Sequence, residues 1–251
     1  MKNNIILLLS IIFTISTSAQ VVYQTYTVTG TETWDINTYP NGVLIEEQLN
    51  IEAGGTLTIS ANVVVKFSPL ATAYVKMGGK LFLYGATLAA NTNYAWNGIR
   101  VIGNPNYNFN QLAYHGLIVM DNNASIGGAN SAIEFHGTYS GTGGGTGIIK
   151  NSTFKNNNCA IVQGPSPKCR IVIDNCNFIV DDNYLSNYYW TGEVWFNYNI
   201  APPSIFAQQA VLYINNSTFS CLFSNNNLGG NATIFSLGGN IQIKNSDFID
   251  C

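Results

Sequence analysis

A parallel β-helix, a coil of short strands stacked rung on rung, is the fold class predicted by this sequence. Three observations predict it: a recurring six-residue phrase, strand-period alternation inside each copy, and the absence of a helical period after the amino-terminal segment. The phrase reads Ile-x-Asn-Ser/Cys-x-Phe. It occurs at Ile149–Phe154, Ile173–Phe178, Ile214–Phe219 and Ile243–Phe248. A weaker copy, Asn123-Ala124-Ser125-Ile126, carries a second matching element, because Ala132-Ile133 follows it at the interval at which Ala160-Ile161 follows Asn151. Self-similarity at a period of 20 to 50 residues marks a repeat architecture.

The chain opens with Lys2, an apolar run from Ile5 to Ile15, and the small residues Ser16 to Ala19. That order is the charged, apolar and small-residue plan of a secretory signal, and it predicts a leader over residues 1–19. The run is shorter than the ~20 residues needed to span a bilayer, and no later segment is long and apolar enough. The expected location is therefore secreted or cell-surface. Residues 20–42 contain no copy of any repeat and are expected to form a lead-in or cap, with the coil occupying 43–251.

An early repeat has different wording. Gly54-Gly55-Thr56-Leu57-Thr58-Ile59 is answered 24 residues later by Gly78-Gly79-Lys80-Leu81-Phe82-Leu83. Within each copy apolar residues alternate, as in Leu57/Ile59 and Ile171/Ile173, which is the period of a strand. Propeller blades need roughly 40 to 50 residues, whereas a coil of parallel strands reuses one phrase per turn. Equivalent residues then stack about 4.8 Å apart. Ile and Phe would fill the interior in files. Asn tolerates the left-handed conformation of a tight corner and can bond to the amide one rung away. About seven or eight turns are expected.

Composition narrows the function. Charged residues make up only 9% of the chain, and 10 Lys+Arg against 13 Asp+Glu give a formal charge of −3. A nucleic-acid partner would need a basic footprint that is missing here. Five cysteines, at 159, 169, 176, 221 and 251, form no CxxC pair, and neither His115 nor His136 completes a zinc set. Cys176 stands where the three sibling repeats have serine, which suits a small buried residue. Gly141–Gly147 lacks the lysine and helix of a phosphate loop and reads as a flexible turn. Asn104–His115 is a further irregular stretch.

The Ile-x-Asn-Ser/Cys-x-Phe repeats resemble those of right-handed parallel β-helix proteins of the pectate-lyase-like superfamily. The Gly-Gly-x-Leu-x-Leu units followed by Trp96-Asn97-Gly98-Ile99-Arg100-Val101 are similar to exported β-helix proteins of Bacteroidetes-type bacteria. The resemblance implies a right-handed coil and an exported chain. It also implies a search for carbohydrate chemistry, since the superfamily holds lyases, hydrolases, adhesins and stalks. Asp174, Asp181 and Asp182 are the densest acidic group and the catalytic candidates, and Asp181-Asp182 is similar to a polygalacturonase aspartate pair. The accompanying Gly-His-Gly and Arg-Ile-Lys motifs are missing, and both histidines precede the acidic pair. Calcium at these aspartates is the one cofactor the resemblance implies.

An aromatic insertion at about 181–209 interrupts the period. It contains Tyr188, Tyr189, Trp190, Trp195 and Tyr198, the candidate ligand-binding residues, with Pro202-Pro203 at its exit. Loops on a rigid scaffold carry binding, and aromatic faces stack on sugars. The expected function is a non-enzymatic stalk, adhesin-like or glycan-binding element, with a polysaccharide or cell-surface glycan as partner; a polysaccharide lyase or glycoside hydrolase is the alternative. The last repeat copy ends at Phe248 with no cap following, so continuation into a further segment is expected.

Overall fold

A computed structural model describes residues 19–139, 141–181, 205–222 and 234–249. It is a parallel β-helix of three faces, with every strand pair between rungs parallel. Eight strands succeed one another on the third face: Thr31–Trp34, Thr56–Ile59, Lys80–Tyr84, Leu117–Asp121, Thr146–Lys150, Ser166–Asp174, Ile205–Asn215 and Ile234–Lys244. The last two also begin on the second face, so one extended strand there turns a corner without a break. Helical structure among the described residues is confined to a short 3-10 turn, Leu112–Tyr114.

Register explains the repeat letter by letter. On the first face Val43, Val65, Leu88, Ile126, Phe154, Phe178, Phe219 and Phe248 pair in succession, one per rung. The second face continues Leu49, Ala73, Ile99, Ile133, Ile161 and Ile205, and the third Ile59, Leu83, Met120, Ile149, Ile173 and Ile214. Side chains alternate across a strand, so these residues face a shared interior and their neighbours face out. Nearly all of them are fully buried. Phe154 and Phe178 stack with ring centroids 5.0 Å apart, Phe178 and Phe219 at 4.4 Å, and Phe219 and Phe248 at 5.0 Å, each pair within 5° of parallel.

The asparagine of the phrase forms the corner from the third face to the first. Asn123, Asn151, Asn175, Asn216 and Asn245 all have positive φ, between 44° and 64°. A left-handed residue costs roughly 1–2 kcal/mol for most side chains and least for Gly and Asn, and Gly85 takes this corner one rung below the asparagines. The following Ser or Cys is buried and bonds back across the corner: Ser217 Oγ donates to the Asn215 carbonyl at 2.7 Å, and Cys176 Sγ to that of Asp174 at 3.4 Å. Burial pushes the Cys176 thiol up to about 11, as befits a small core residue. The Gly-Gly phrase serves the opposite corner, from the second face to the third. A Cβ on Gly55 would lie 2.4 Å from the Val28 carbonyl oxygen, and one on Gly79 2.6 Å from that of Ile51.

The lead-in over 20–42 takes the form of a rung: Val21–Val28 pairs with Val43–Ile51, and Thr31–Trp34 with Thr56–Ile59. Its floor is aromatic, with Trp34 packed against Tyr23, Tyr26 and Tyr39. The glycine-rich stretch is a close-packed crossing rather than a loose turn. A Cβ on Gly143 would fall 2.4 Å from the Gly164 carbonyl oxygen, and one on Gly144 2.5 Å from that of Gly103.

The phenylalanine file sets a stability prediction. Phe178→Ala is expected to destabilise the fold by about 3–5 kcal/mol, the usual cost of truncating a buried Phe. Phe248→Ala is expected to cost less than half as much, since Phe248 is 48% exposed. Urea denaturation of the two variants checks the ratio.

Candidate functional site

Alternation that buries Leu88, Ile126 and Phe154 turns their neighbours outward on the first face. Thr87, Ser125 and Thr153 form one outer file, and Ala89, Gly127 and Lys155 form the next. Ser125 Oγ donates to Thr87 Oγ1 at 3.1 Å. Because Ala89 and Gly127 have almost no side chain, the face is recessed there. The result is a groove of about 340 Å³, bounded also by Thr92, Gly128, Lys155 and Asn156. Its lining combines hydroxyls, an amide and an ammonium with a small apolar floor.

Asp181 engages two of the residues that line this groove. Its carboxylate accepts from Asn156 Nδ2 at 2.7 Å and pairs with Lys155 Nζ at 2.9 Å, while its backbone N–H donates to Asn156 Oδ1 at 2.8 Å. Asp174 stands at a different corner, accepting from Asn216 Nδ2 at 2.9 Å. It belongs to the asparagine ladder, in which Asn175 donates to Asn151 Oδ1 and Asn151 to Asp121 Oδ1, both at 2.7 Å. The ladder is thus mixed, with aspartate accepting where asparagine alone was expected. Asp174 and Asp181 therefore engage separate partners at separate corners.

Asp182, Tyr188, Tyr189, Trp190, Trp195 and Tyr198 lie outside the described residues. The points between which that segment runs are described. The chain leaves the first face at Asp181 and resumes on the second at Ile205. This is the corner at which Gly128 and Asn156 line the groove.

A second constellation lies on the second face. On the outer surface of the second face, Arg100 Nε lies 3.3 Å from Glu134 Oε2, and His136 Nδ1 lies 3.4 Å from Glu134 Oε1. Arg100 and Glu134 are directly paired in register, and His136 follows two residues on along the same face. The signal was available in Ile99/Ile133 equivalence, which puts Arg100 under Glu134. Burial alone would raise the Glu134 carboxyl, but the hydrogen bond from His136 and the charge of Arg100 outweigh it and hold the group below the usual range.

The other histidine is structural. His115 is fully buried, with Nε2 3.2 Å from the Tyr107 carbonyl oxygen and 3.1 Å from that of Asn108. Burial lowers its proton affinity, and its ring ties down the 104–115 loop. Cys159, Cys169 and Cys176 are buried. Among the described residues no group of three or more His, Cys, Asp or Glu could hold a metal ion, and no helix is long and apolar enough to cross a membrane.

No protein-family model, no curated protein and no solved structure matches this chain.

Glu134 gives a pH prediction. A carboxyl held low contributes stability above its unfolded pKa, and that contribution is lost as pH falls through the folded value. His136→Gln is expected to move the Glu134 pKa upward and shift the associated loss of stability to higher pH. Carboxyl-carbon NMR titration and pH-dependent urea midpoints check both signs.

Proposed function

We propose that this chain is an exported parallel β-helix, of the pectate-lyase-like kind, that binds a polysaccharide on its first face without cleaving it. In that role it serves as an adhesin-like or stalk element at the cell surface. The groove between the Thr87/Ser125/Thr153 file and the rim at Asn156 carries the reading. A row of hydroxyls repeating at rung spacing, over a floor of Ala89 and Gly127, offers hydrogen bonds to sugar hydroxyls along a chain. Sugar polymers present such groups at regular intervals. The aromatic-rich insertion that follows Asp181 in sequence supplies the candidate stacking residues. Export is supported by the order of Lys2, Ile5–Ile15 and Ser16–Ala19.

A cleaving enzyme is the second reading, favoured by the Arg100–Glu134–His136 cluster, which combines a carboxylate with two bases on one surface. A general acid needs a carboxyl raised toward neutral pH, whereas Glu134 is held low. That chemistry suits an ion pair better than proton donation.

Binding to an immobilised polysaccharide panel tests the proposal. Wild type is expected to bind at least one polymer. Ala89→Trp, which fills the groove from an outward position, is expected to weaken binding at least ~10-fold, equal to about 1.4 kcal/mol. A Trp190→Ala/Trp195→Ala variant is expected to weaken it as well. Equal binding by wild type and Ala89→Trp, or none by wild type, would remove the reading. Release of unsaturated or reducing ends that stops in Glu134→Gln would establish the enzyme instead.

A further inference from the structure

The third face carries an arginine held in an unusual setting. In Ser166–Asp174, Cys169 and Ile171 point into the core, so Lys168 and Arg170 point outward. The Arg170 guanidinium carbon lies 5.5 Å from the Phe109 ring centroid and 5.0 Å from that of Tyr213. Two aromatic rings thus lie within cation–π range of the fork. Its Nε is buried without a hydrogen-bond partner, whereas its terminal nitrogens are not buried and bond to none of the described residues.

The 104–115 loop builds the wall of this site. The Phe109 N–H donates to the Lys168 carbonyl at 3.0 Å, Lys168 Nζ to the Asn106 carbonyl at 2.9 Å, and Thr146 Oγ1 to the Phe109 carbonyl at 3.3 Å. His115 anchors the loop from beneath through Tyr107 and Asn108.

Among the described residues no counter-charge faces Arg170. Residues 104–115, 137–149 and 163–173 contain Lys168, Arg170 and His115 but no Asp or Glu. Among the described residues no carboxylate forms an ion pair with Arg170. Asp174, on the same strand face, is four residues away, about 13 Å at strand rise, and is occupied by Asn216. In a chain of net charge −3, an unpaired guanidinium flanked by two aromatic rings is a local exception. An arginine fork binds planar or tetrahedral oxyanions through paired N–H groups, and stacking reduces the entropy lost when it does so.

We infer that Arg170, flanked by Phe109 and Tyr213 and assisted by Lys168, is an oxyanion site that receives a carboxylate or sulfate group. Phe109 and the stacked pair Tyr107 and Tyr114, whose centroids lie 3.7 Å apart, offer an apolar surface on the same loop for the ring that bears the anion. The site lies on a different face from the groove and stands without it. Only its assignment to an acidic sugar rests on the glycan reading above.

Calorimetric titration at constant ionic strength tests it, with sodium glucuronate, its uncharged methyl ester and sodium sulfate as probes. Glucuronate or sulfate is expected to bind and the ester to bind weakly or not at all. Glucuronate alone would assign a carboxylate, and sulfate alone a sulfate ester. Arg170→Gln, which keeps a planar group between the rings, is expected to lose ~10- to 100-fold in affinity, as does removal of a charge-assisted bond pair. Arg170→Lys, which retains charge but not the fork, is expected to fall between them, with circular dichroism confirming that both variants fold. Failure of wild type to bind either anion, or wild-type affinity in both variants, would overturn the inference. Ala89→Trp is expected to bind these small anions normally, so failure of the groove reading and of this one are separable.

Discussion

In-register stacking of like side chains is the constraint on which everything else in this molecule depends. Each rung pairs with the next by parallel backbone hydrogen bonds, and the side chain facing inward at one level meets its equivalent one level away. Four phenylalanines in contact at 4.4–5.0 Å are the plainest product of that rule. A buried Phe contributes about 1.5–3 kcal/mol through area removed from water, and parallel stacking adds to it. A slip by one residue would turn every inward side chain to solvent, so the apolar files also fix the register of the outer surface.

The outer surface is a consequence of the inner one. Because Leu88, Ile126 and Phe154 must face in, Thr87, Ser125 and Thr153 must face out in a row. The same logic stacks Glu134 over Arg100 and places Arg170 beside Lys168 on the outer side of its strand. Local chemistry on such a coil is made by residues far apart in sequence and adjacent in rung. Corners add the other ingredient: Asp181 engages Asn156 and Lys155 beside the groove.

Much of the fold was legible because the phrase names its own positions. Its Ile belongs to the third-face core, its Asn to a left-handed corner, its Ser or Cys to the buried step after that corner, and its Phe to the first-face file. The first rung was illegible because Val21–Trp34 performs the same task with different words, ending on an aromatic floor rather than another rung. The glycine-rich stretch misled because composition reports freedom in an isolated chain, whereas here backbone approaches within 2.4–2.5 Å of a would-be Cβ demand the missing side chain. Gln163 departs from the pattern, occupying an inward position above Phe135 with both amide atoms buried and unpartnered. The site was less legible than the core: Ala89 and Gly127 form a recess only by what they lack, and Arg100 and Glu134 meet through a register that the 104–115 loop hides from a fixed period. The acidic triplet drew notice as a sequence cluster, yet the coil sends Asp174 and Asp181 to different corners.

Ring-to-ring nuclear Overhauser contacts in selectively Phe-labelled protein test the central claim most directly. The account predicts contacts between Phe154 and Phe178, between Phe178 and Phe219, and between Phe219 and Phe248, with none between Phe154 and Phe219. Absence of the neighbouring contacts, or contacts that skip a rung, would contradict it.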